Sequence, residues 1–362
     1  MSRLEELKQL TMDAVAYGAF PGATYALVTK DHIYTDVVGL KAKYPEEEPN
    51  ALDTIYDMAS VSKVVSTTTC LLKLMEAGKI RLFDPVQRYL PKFKHDKIAI
   101  WHLVTHTSGL QPCLYNPSKI KSREEAIEKV YEADAQFEQG TKIQYSDLNY
   151  ILLGFVVEAV SGMPLDQFAA ENIYMPLGMK DSGYNPKDTK RCAPTEERND
   201  EIVQGIVRGK VHDETSYILG GVAGHAGLFS TAADMAIFMQ MILNNGMHKG
   251  KPFLSKATID ALFRPLAKES VGIASLPLQR SIGWIVYDYN TACGDLTSLN
   301  TIYHTGFTGT CVWIDRDHEI AYCLLSNRVH PTRNNGKHIE IRSKLANFIM
   351  AHLDEIKEEM GC

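Results

Sequence analysis

Ser60-Val61-Ser62-Lys63 opens the apolar stretch from Val64 to Leu74. In a helix beginning near Ser60, residues three apart share a face, so the Ser60 hydroxyl and the Lys63 amine meet. The chemistry on offer is attack on a carbonyl carbon, because a serine hydroxyl becomes a good nucleophile only when a neighbouring base takes its proton. A lysine fills that role where burial or a nearby cation disfavours its charged form, its ordinary pKa being about 10.4. The same four residues also suit a helix start followed by a solvated lysine, and the choice rests on what the rest of the chain brings to Ser60.

Three later stretches supply candidate partners. Gln144-Tyr145-Ser146-Asp147-Leu148-Asn149-Tyr150 is a polar loop ahead of an apolar run, and Tyr145 and Asp147, two apart, can face one cleft. A phenol held near ammonium groups has its pKa lowered and can shuttle protons; in the plainer reading Asp147 is a helix cap. His304-Thr305-Gly306-Phe307 falls between two expected strands, where a strand edge can offer a backbone N–H to an oxyanion while His304 and Thr305 present polar groups to substrate. The glycine-dense loop Gly221 to Phe229 either lines a pocket or makes a tight buried connection.

Other chemically able residues have structural readings. His106, in Thr105-His106-Thr107-Ser108-Gly109, reads as a loop-fixing ring. Val211-His212-Asp213-Glu214 and His225 contain ligand-type side chains but no zinc spacing, so no metal is expected. Arg328 and Arg333 follow the last strand and either clamp a substrate carboxylate or are surface charges.

These groups need a scaffold to bring them together. Leu4, Leu7, Thr11, Ala14 and Val15 predict a helix from Arg3 to Tyr17, and Ala23 to Thr29 with His32 to Val38 predict a hairpin. The helix opened by Ser60 should end near Gly78; to about Asn244 the chain is mainly helical, with Leu148 to Val160 apolar nearly all round and therefore buried. Thr231 caps a helix ending at Asn245-Gly246. Strands return at Ile282 to Asp288, Leu299 to His304, Gly309 to Asp315 and Ile320 to Asn327, and a last helix runs from Lys337 to Glu358. The expected architecture is α/β (α+β): an antiparallel sheet from both ends of the chain, residues 1–58 and 247–362, flanked by the terminal helices, with residues 59–246 as an inserted helical domain and a pocket in the seam. The loops Gln111 to Ser122 and Lys268 to Arg280 would shape that pocket.

Composition narrows the classes. The 362 residues, 45% hydrophobic and 23% charged, can bury a core, and a net charge of −6 without a basic stripe argues against nucleic acid. No run reaches the roughly 18 apolar residues of a membrane span, and the N-terminus lacks the apolar heart of a signal peptide. Seven scattered cysteines without a Cys-x-x-Cys pair read as reduced thiols, so the cytoplasm is the expected location.

In this order and spacing, Ser60-x-x-Lys63, Tyr145-Ser-Asp147 and His304-Thr-Gly306 resemble the three-motif signature of the class C β-lactamase and penicillin-binding-protein superfamily of serine hydrolases. The resemblance extends to Trp101 through Leu110, to Met175-Pro-Leu-Gly-Met179 and to Gly309-Thr310-x-x-Trp313-Ile314-Asp315, and covers nearly the whole chain. It implies a β-lactamase/transpeptidase-like fold and an acyl-enzyme mechanism without metal or cofactor. Ser60 would attack, Lys63 and Tyr145 would exchange its proton, and the backbone N–H groups of Ser60 and Phe307 would hold the oxyanion. Two residues depart from members that destroy β-lactams: Asp147 stands where they carry Asn, and His304 where they carry Lys. The His-Thr-Gly run is similar to that of D-alanyl-D-alanine carboxypeptidases, D-amino-acid peptidases and some esterases. A carboxylate at 147 would favour the charged form of Lys63 and shift weight to Tyr145 as base. The expected function is hydrolysis of a D-alanyl-type peptide, amide or β-lactam-like small molecule, with a short-chain carboxylesterase and a penicillin-binding sensor or pseudoenzyme as alternatives.

Overall fold

The computed structural model describes residues 1–270, 277–287 and 292–362. Its centre is a nine-stranded antiparallel sheet drawn from both ends of the chain. The strands are β1 (Gly22–Val28), β2 (Ile33–Ala42), β3 (Glu48–Pro49), β4 (Ala267–Ser270), β5 (Pro277–Arg280), β6 (Ile285–Val286), β7 (Thr301–Thr305), β8 (Cys311–Asp315) and β9 (Ile320–Ser326), in the order β4-β5-β6-β7-β8-β9-β1-β2-β3. The first and last long strands are neighbours, with Ala23 opposite Ser326 and Val28 opposite Ala321.

β1 and β9 are buried throughout rather than on one face, because alternate residues enter cores on opposite sides of the sheet. Ala26, Val28, Ala321, Cys323 and Leu325 enter a core shared with the helical segment. Tyr25, Leu27, Ile320, Tyr322 and Leu324 enter a second core with Leu7, Ala14, Leu345, Ile349 and Ile356 of the terminal helices. Those are α1 (Arg3–Ala16), α5 (His338–Ala351) and α6 (Leu353–Met360). Between them in sequence lie α2 (Thr69–Glu76), α3 (Asp147–Ser161) and α4 (Ala232–Leu243), the last two burying most of their residues.

Several expectations are corrected. The last helix is two: His352 leaves helical geometry (φ −120°, ψ 28°), and the turn brings Glu359 to the first N–H groups of α1, at 2.6 Å from Arg3 N and 2.9 Å from Leu4 N. An acidic group there satisfies donors that the helix itself cannot. The stretch expected as a loop from Lys268 to Arg280 is a strand pair at the sheet edge, Ala267 opposite Arg280, with residues 271–276 outside the described part. The strand expected from Ile282 begins at Ile285, and its expected end, residue 288, also lies outside it. The segment before Ser60 joins a small second sheet, Tyr56–Asp57 pairing with Leu228–Ser230, which in turn pairs with Gly183–Tyr184.

Candidate active site

Ser60 sits on a single 3-10 turn, Ala59–Val61, followed by a wide π-helical turn, Lys63–Thr68, before α2 begins. The helix is therefore not regular from its start, and such π turns often mark functional positions. Ala59 is in the left-handed region (φ 46°), an uncommon state for a residue with a Cβ. What holds it there is Asp57, buried, whose carboxylate accepts the N–H groups of Ala59 (2.8 Å) and His212 (2.7 Å).

Three groups converge on the nucleophile. Lys63 Nζ donates to Ser60 Oγ at 3.0 Å and the Tyr145 hydroxyl donates to it at 2.8 Å, while Asp147 reaches it through Lys63. Lys63 is fully buried and also donates to Asp147 Oδ1 (2.8 Å) and to the His225 carbonyl (2.9 Å). Three acceptors for one amine demand three hydrogens, which is the ammonium. Burial alone would push Lys63 down, but the Asp147 carboxylate and the Tyr145 phenol outweigh it and the net shift is upward.

Asp147 is the first residue of α3 rather than its cap; the cap position is Ser146, and the carboxylate is spent on Lys63. Tyr145 stacks on His106 at 4.5 Å between centroids, with the Lys63 charge 4.9 Å from its ring and Arg280 at 5.8 Å. Although 36% of the residue remains open, burial raises its phenol, Lys63 pulls the other way, and the net direction is up. The lowered phenol expected from sequence is thus corrected: desolvation exceeds the pull of the charge.

His106 does fix a loop. Its Nδ1 accepts from the Ser146 N–H (3.1 Å), and its carbonyl accepts from Gln144 (2.8 Å), so the residue carries the segment holding Tyr145. The Gly221 to Phe229 loop makes the tight buried connection: a Cβ on Gly224 would lie 2.0 Å from the Tyr150 carbonyl of α3, and the His225 carbonyl accepts from buried Lys63 (2.9 Å).

Opposite Ser60 is the turn after β7. Thr308 and Thr310 donate to the carbonyls of Asp57 (2.7 Å) and Met58 (3.0 Å), latching the turn onto the segment before Ser60. The approach is close enough that a Cβ on Gly306 would meet Thr310 Oγ1 at 2.1 Å and the Met58 carbonyl at 2.6 Å. Phe307 is half exposed, and its N–H makes no backbone hydrogen bond among the described residues.

Arg328 and Arg333 both have partners within the protein. Arg328, 7% exposed, donates to the Phe307 carbonyl (2.8 Å) and lies 4.4 Å over its ring; burial pushes its pKa down to about 10. Arg333 pairs with Glu196 (2.6 Å) and Glu214 (2.9 Å). Sequence reasoning missed Asp57, the two threonines and Arg342, which donates to the carbonyls of Gly306 (3.3 Å) and Thr310 (3.0 Å). The repeated threonine in Thr-Gly-Thr at 308–310 was the one available signal.

His304 on β7 is buried, its Nδ1 facing the Thr305 carbonyl at 3.0 Å. Burial, then the charges of Lys63 and Arg280, hold it well below the ordinary histidine range, so the ring is neutral. No group of three or more His, Cys, Asp or Glu side chains among the described residues is arranged to hold a metal. His212 and His225 instead pair with Glu196 (3.0 Å) and Asp213 (2.7 Å).

A nucleophile-bearing turn packed between a helical segment and the end of an inner strand of an antiparallel sheet is the plan of the β-lactamase-like serine hydrolases. A family profile described as Beta-lactamase matches residues 7–346, and the chain belongs to that family. It is 32% identical to the N-acetylmuramyl-L-alanine amidase of Bacillus subtilis (strain 168), over 91% of this chain and 81% of that protein. It is also 32% identical to a putative D-alanyl-D-alanine carboxypeptidase of Salmonella typhi, over 79% of this chain and 72% of that one. Among solved structures, the hydrolase EstCE1 superposes with a TM-score of 0.78 at 20% identity, over 96% of this chain and 98% of its own, which shows a shared fold. The chain is a serine hydrolase of the β-lactamase family.

Proposed function

We propose that the protein hydrolyses a small amide, short peptide or ester through an acyl-enzyme on Ser60. The observation that carries the reading is Ser60 Oγ held by both Lys63 (3.0 Å) and Tyr145 (2.8 Å) beneath the latched turn at Phe307. Once the Lys63–Tyr145 pair has given up one proton to solvent, Ser60 attacks the carbonyl carbon and its own proton passes to that pair, which titrates as a unit. The N–H groups of Ser60 and Phe307 receive the oxyanion; the leaving group takes a proton from the pair, and water then releases the acyl group. Thr305 and the backbone at Gly306 flank the bound substrate. No step calls for a metal or cofactor.

The names of the relatives support an amide of D-alanyl or muramyl-peptide type as substrate. A short-chain ester is the second reading, supported by an Asp147 and a neutral His304 where β-lactam-destroying members carry other residues. Parallel assays with p-nitrophenyl acetate, nitrocefin and a D-Ala-D-Ala peptide separate the two. Ser60→Ala should abolish turnover and fluorophosphonate labelling; activity surviving that change would remove the mechanism.

A further inference from the structure

Granted the acyl-enzyme reading above, the third acceptor of Lys63 has to be held in place by a loop with few means of holding it. Four of the eight residues from Gly220 to Gly227 are glycines, and the others are Val222, Ala223, His225 and Ala226. Glycines leave such a segment free to turn. His225 is its one hydrogen-bonding side chain, and the His225 carbonyl is the group that meets Lys63 Nζ, at 2.9 Å.

His225 is 1% exposed, and its Nε2 lies 2.7 Å from Asp213 Oδ1. Burial works against the Asp213 charge, but His225, the Ser216 N–H and Lys63 more than offset it and hold the carboxyl below its ordinary range. An ionised carboxylate only accepts, so Nε2 carries the shared hydrogen. The other ring nitrogen, Nδ1, is buried and meets no partner among the described residues. Asp213 is thus the ring's single polar anchor there.

Asp213 is itself fixed. Its Oδ1 also accepts the Ser216 N–H (2.8 Å), capping the short helix Glu214–Ile218. One residue earlier, Asp57 holds the His212 N–H (2.7 Å), and the His212 ring stacks on Phe307 at 5.6 Å between centroids. The dipeptide His212-Asp213 therefore touches the support of the Ser60 turn, the turn at Phe307 and, through His225, the lysine. On either side of the His225 carbonyl, that of Gly224 accepts from Thr67 (2.7 Å) and that of Ala226 from Ser216 Oγ (3.1 Å). Since Asp213 holds Ser216 as well, two of the loop's fastenings near Lys63 run back to one carboxylate.

We propose that Asp213 and His225 are positioning residues for Lys63: their side-chain pair aims the His225 carbonyl at Nζ, and with that acceptor in place the amine stays on Ser60 Oγ. A buried ammonium with an unmet hydrogen is costly, so a displaced carbonyl draws Lys63 toward another acceptor and away from the nucleophile.

The test measures, on the full-length protein, the rate constant for fluorophosphonate labelling, which reports attack by Ser60 whatever the natural substrate, with Tm beside it. Asp213→Ser keeps an oxygen that can cap the short helix but is too short to reach the ring; labelling should slow by about tenfold or more. Asp213→Asn, whose Oδ1 can serve both N–H groups, should recover most of that loss. In His225→Leu, which fills the space without an N–H, adding Asp213→Ser should slow labelling no further, because the two residues act through one bond. His225→Gln, whose amide N–H can still reach Asp213, should label faster than His225→Leu, a comparison that stands even if Asp213→Ser does not fold. Unchanged labelling in Asp213→Ser, losses that multiply in the double variant, or equal rates for Gln and Leu at 225 overturn the assignment. Labelling that persists in Ser60→Ala would instead overturn the acyl-enzyme reading, so the two failures are told apart.

Discussion

Lys63 has three hydrogens and three acceptors, and one acceptor is a carboxylate. Acylation needs a proton removed from the Lys63–Tyr145 pair, both members of which are shifted upward, so kcat/KM should rise with pH through neutrality. Removing the carboxylate leaves burial as the main influence on Lys63 and lowers its pKa. The rising limb of the pH profile of Asp147→Asn on p-nitrophenyl acetate should therefore move to lower pH, by about one unit or more; an unmoved limb would show that Asp147 does not set the charge of Lys63. Tyr145→Phe removes one of the two groups on Oγ and should lower kcat by about a hundredfold or more. Ser60 and Lys63 were legible in the sequence because their meeting is set by local spacing. The pairing of Asp147 with Lys63 came only through the family resemblance, because an aspartate at a helix start looks the same whether it caps the helix or binds a charge 84 residues away.

At the scale of elements, the turn from Thr305 to Thr310 and the segment from Asp57 to Ser60 form one latch, joined by two threonine hydroxyls and permitted by one missing side chain. Gly306→Ala must push the turn off Met58, carrying the Phe307 N–H away from Ser60. The expected loss in kcat is about a hundredfold, as for removal of one oxyanion donor, measured with Tm to separate it from unfolding. Glu196 ties the same region together, accepting from His212 and Arg333; burial pushes its carboxyl up, these donors more than offset it, and its pKa falls from 4.5 to about 2. A depressed carboxyl adds stability above its unfolded pKa and loses it as pH falls through the folded one. Glu196→Gln should thus lower Tm at pH 7, and the gap to wild type should narrow between pH 4.5 and 2. Neither link was readable beforehand: the arginines read equally as clamps or as surface charges, because a sequence lists charges without their partners.

Across the whole molecule, the sheet separates two cores, and its central strands are buried on both faces. The hairpin, the late strands and α3 were legible from alternation and apolar runs, whereas the edge pair β4–β5 and the break at His352 depend on neighbours that no local pattern encodes. Leu345→Ala, in the core under the terminal helices, should cost about 2–5 kcal/mol of stability without changing the Ser60 hydrogen bonds, read by denaturant melts beside fluorophosphonate labelling of the folded fraction. The pairing of β1 with β9 also orders events during synthesis on the ribosome. Ser60, Lys63 and Tyr145 all emerge before residue 150, but the strand that closes the sheet beside β1 is made only at residues 320–326. A nascent chain thus carries its nucleophile from residue 60 to residue 320 without the platform that would arm it, and the hydrolase becomes competent only after the strand at 320–326 has left the exit tunnel.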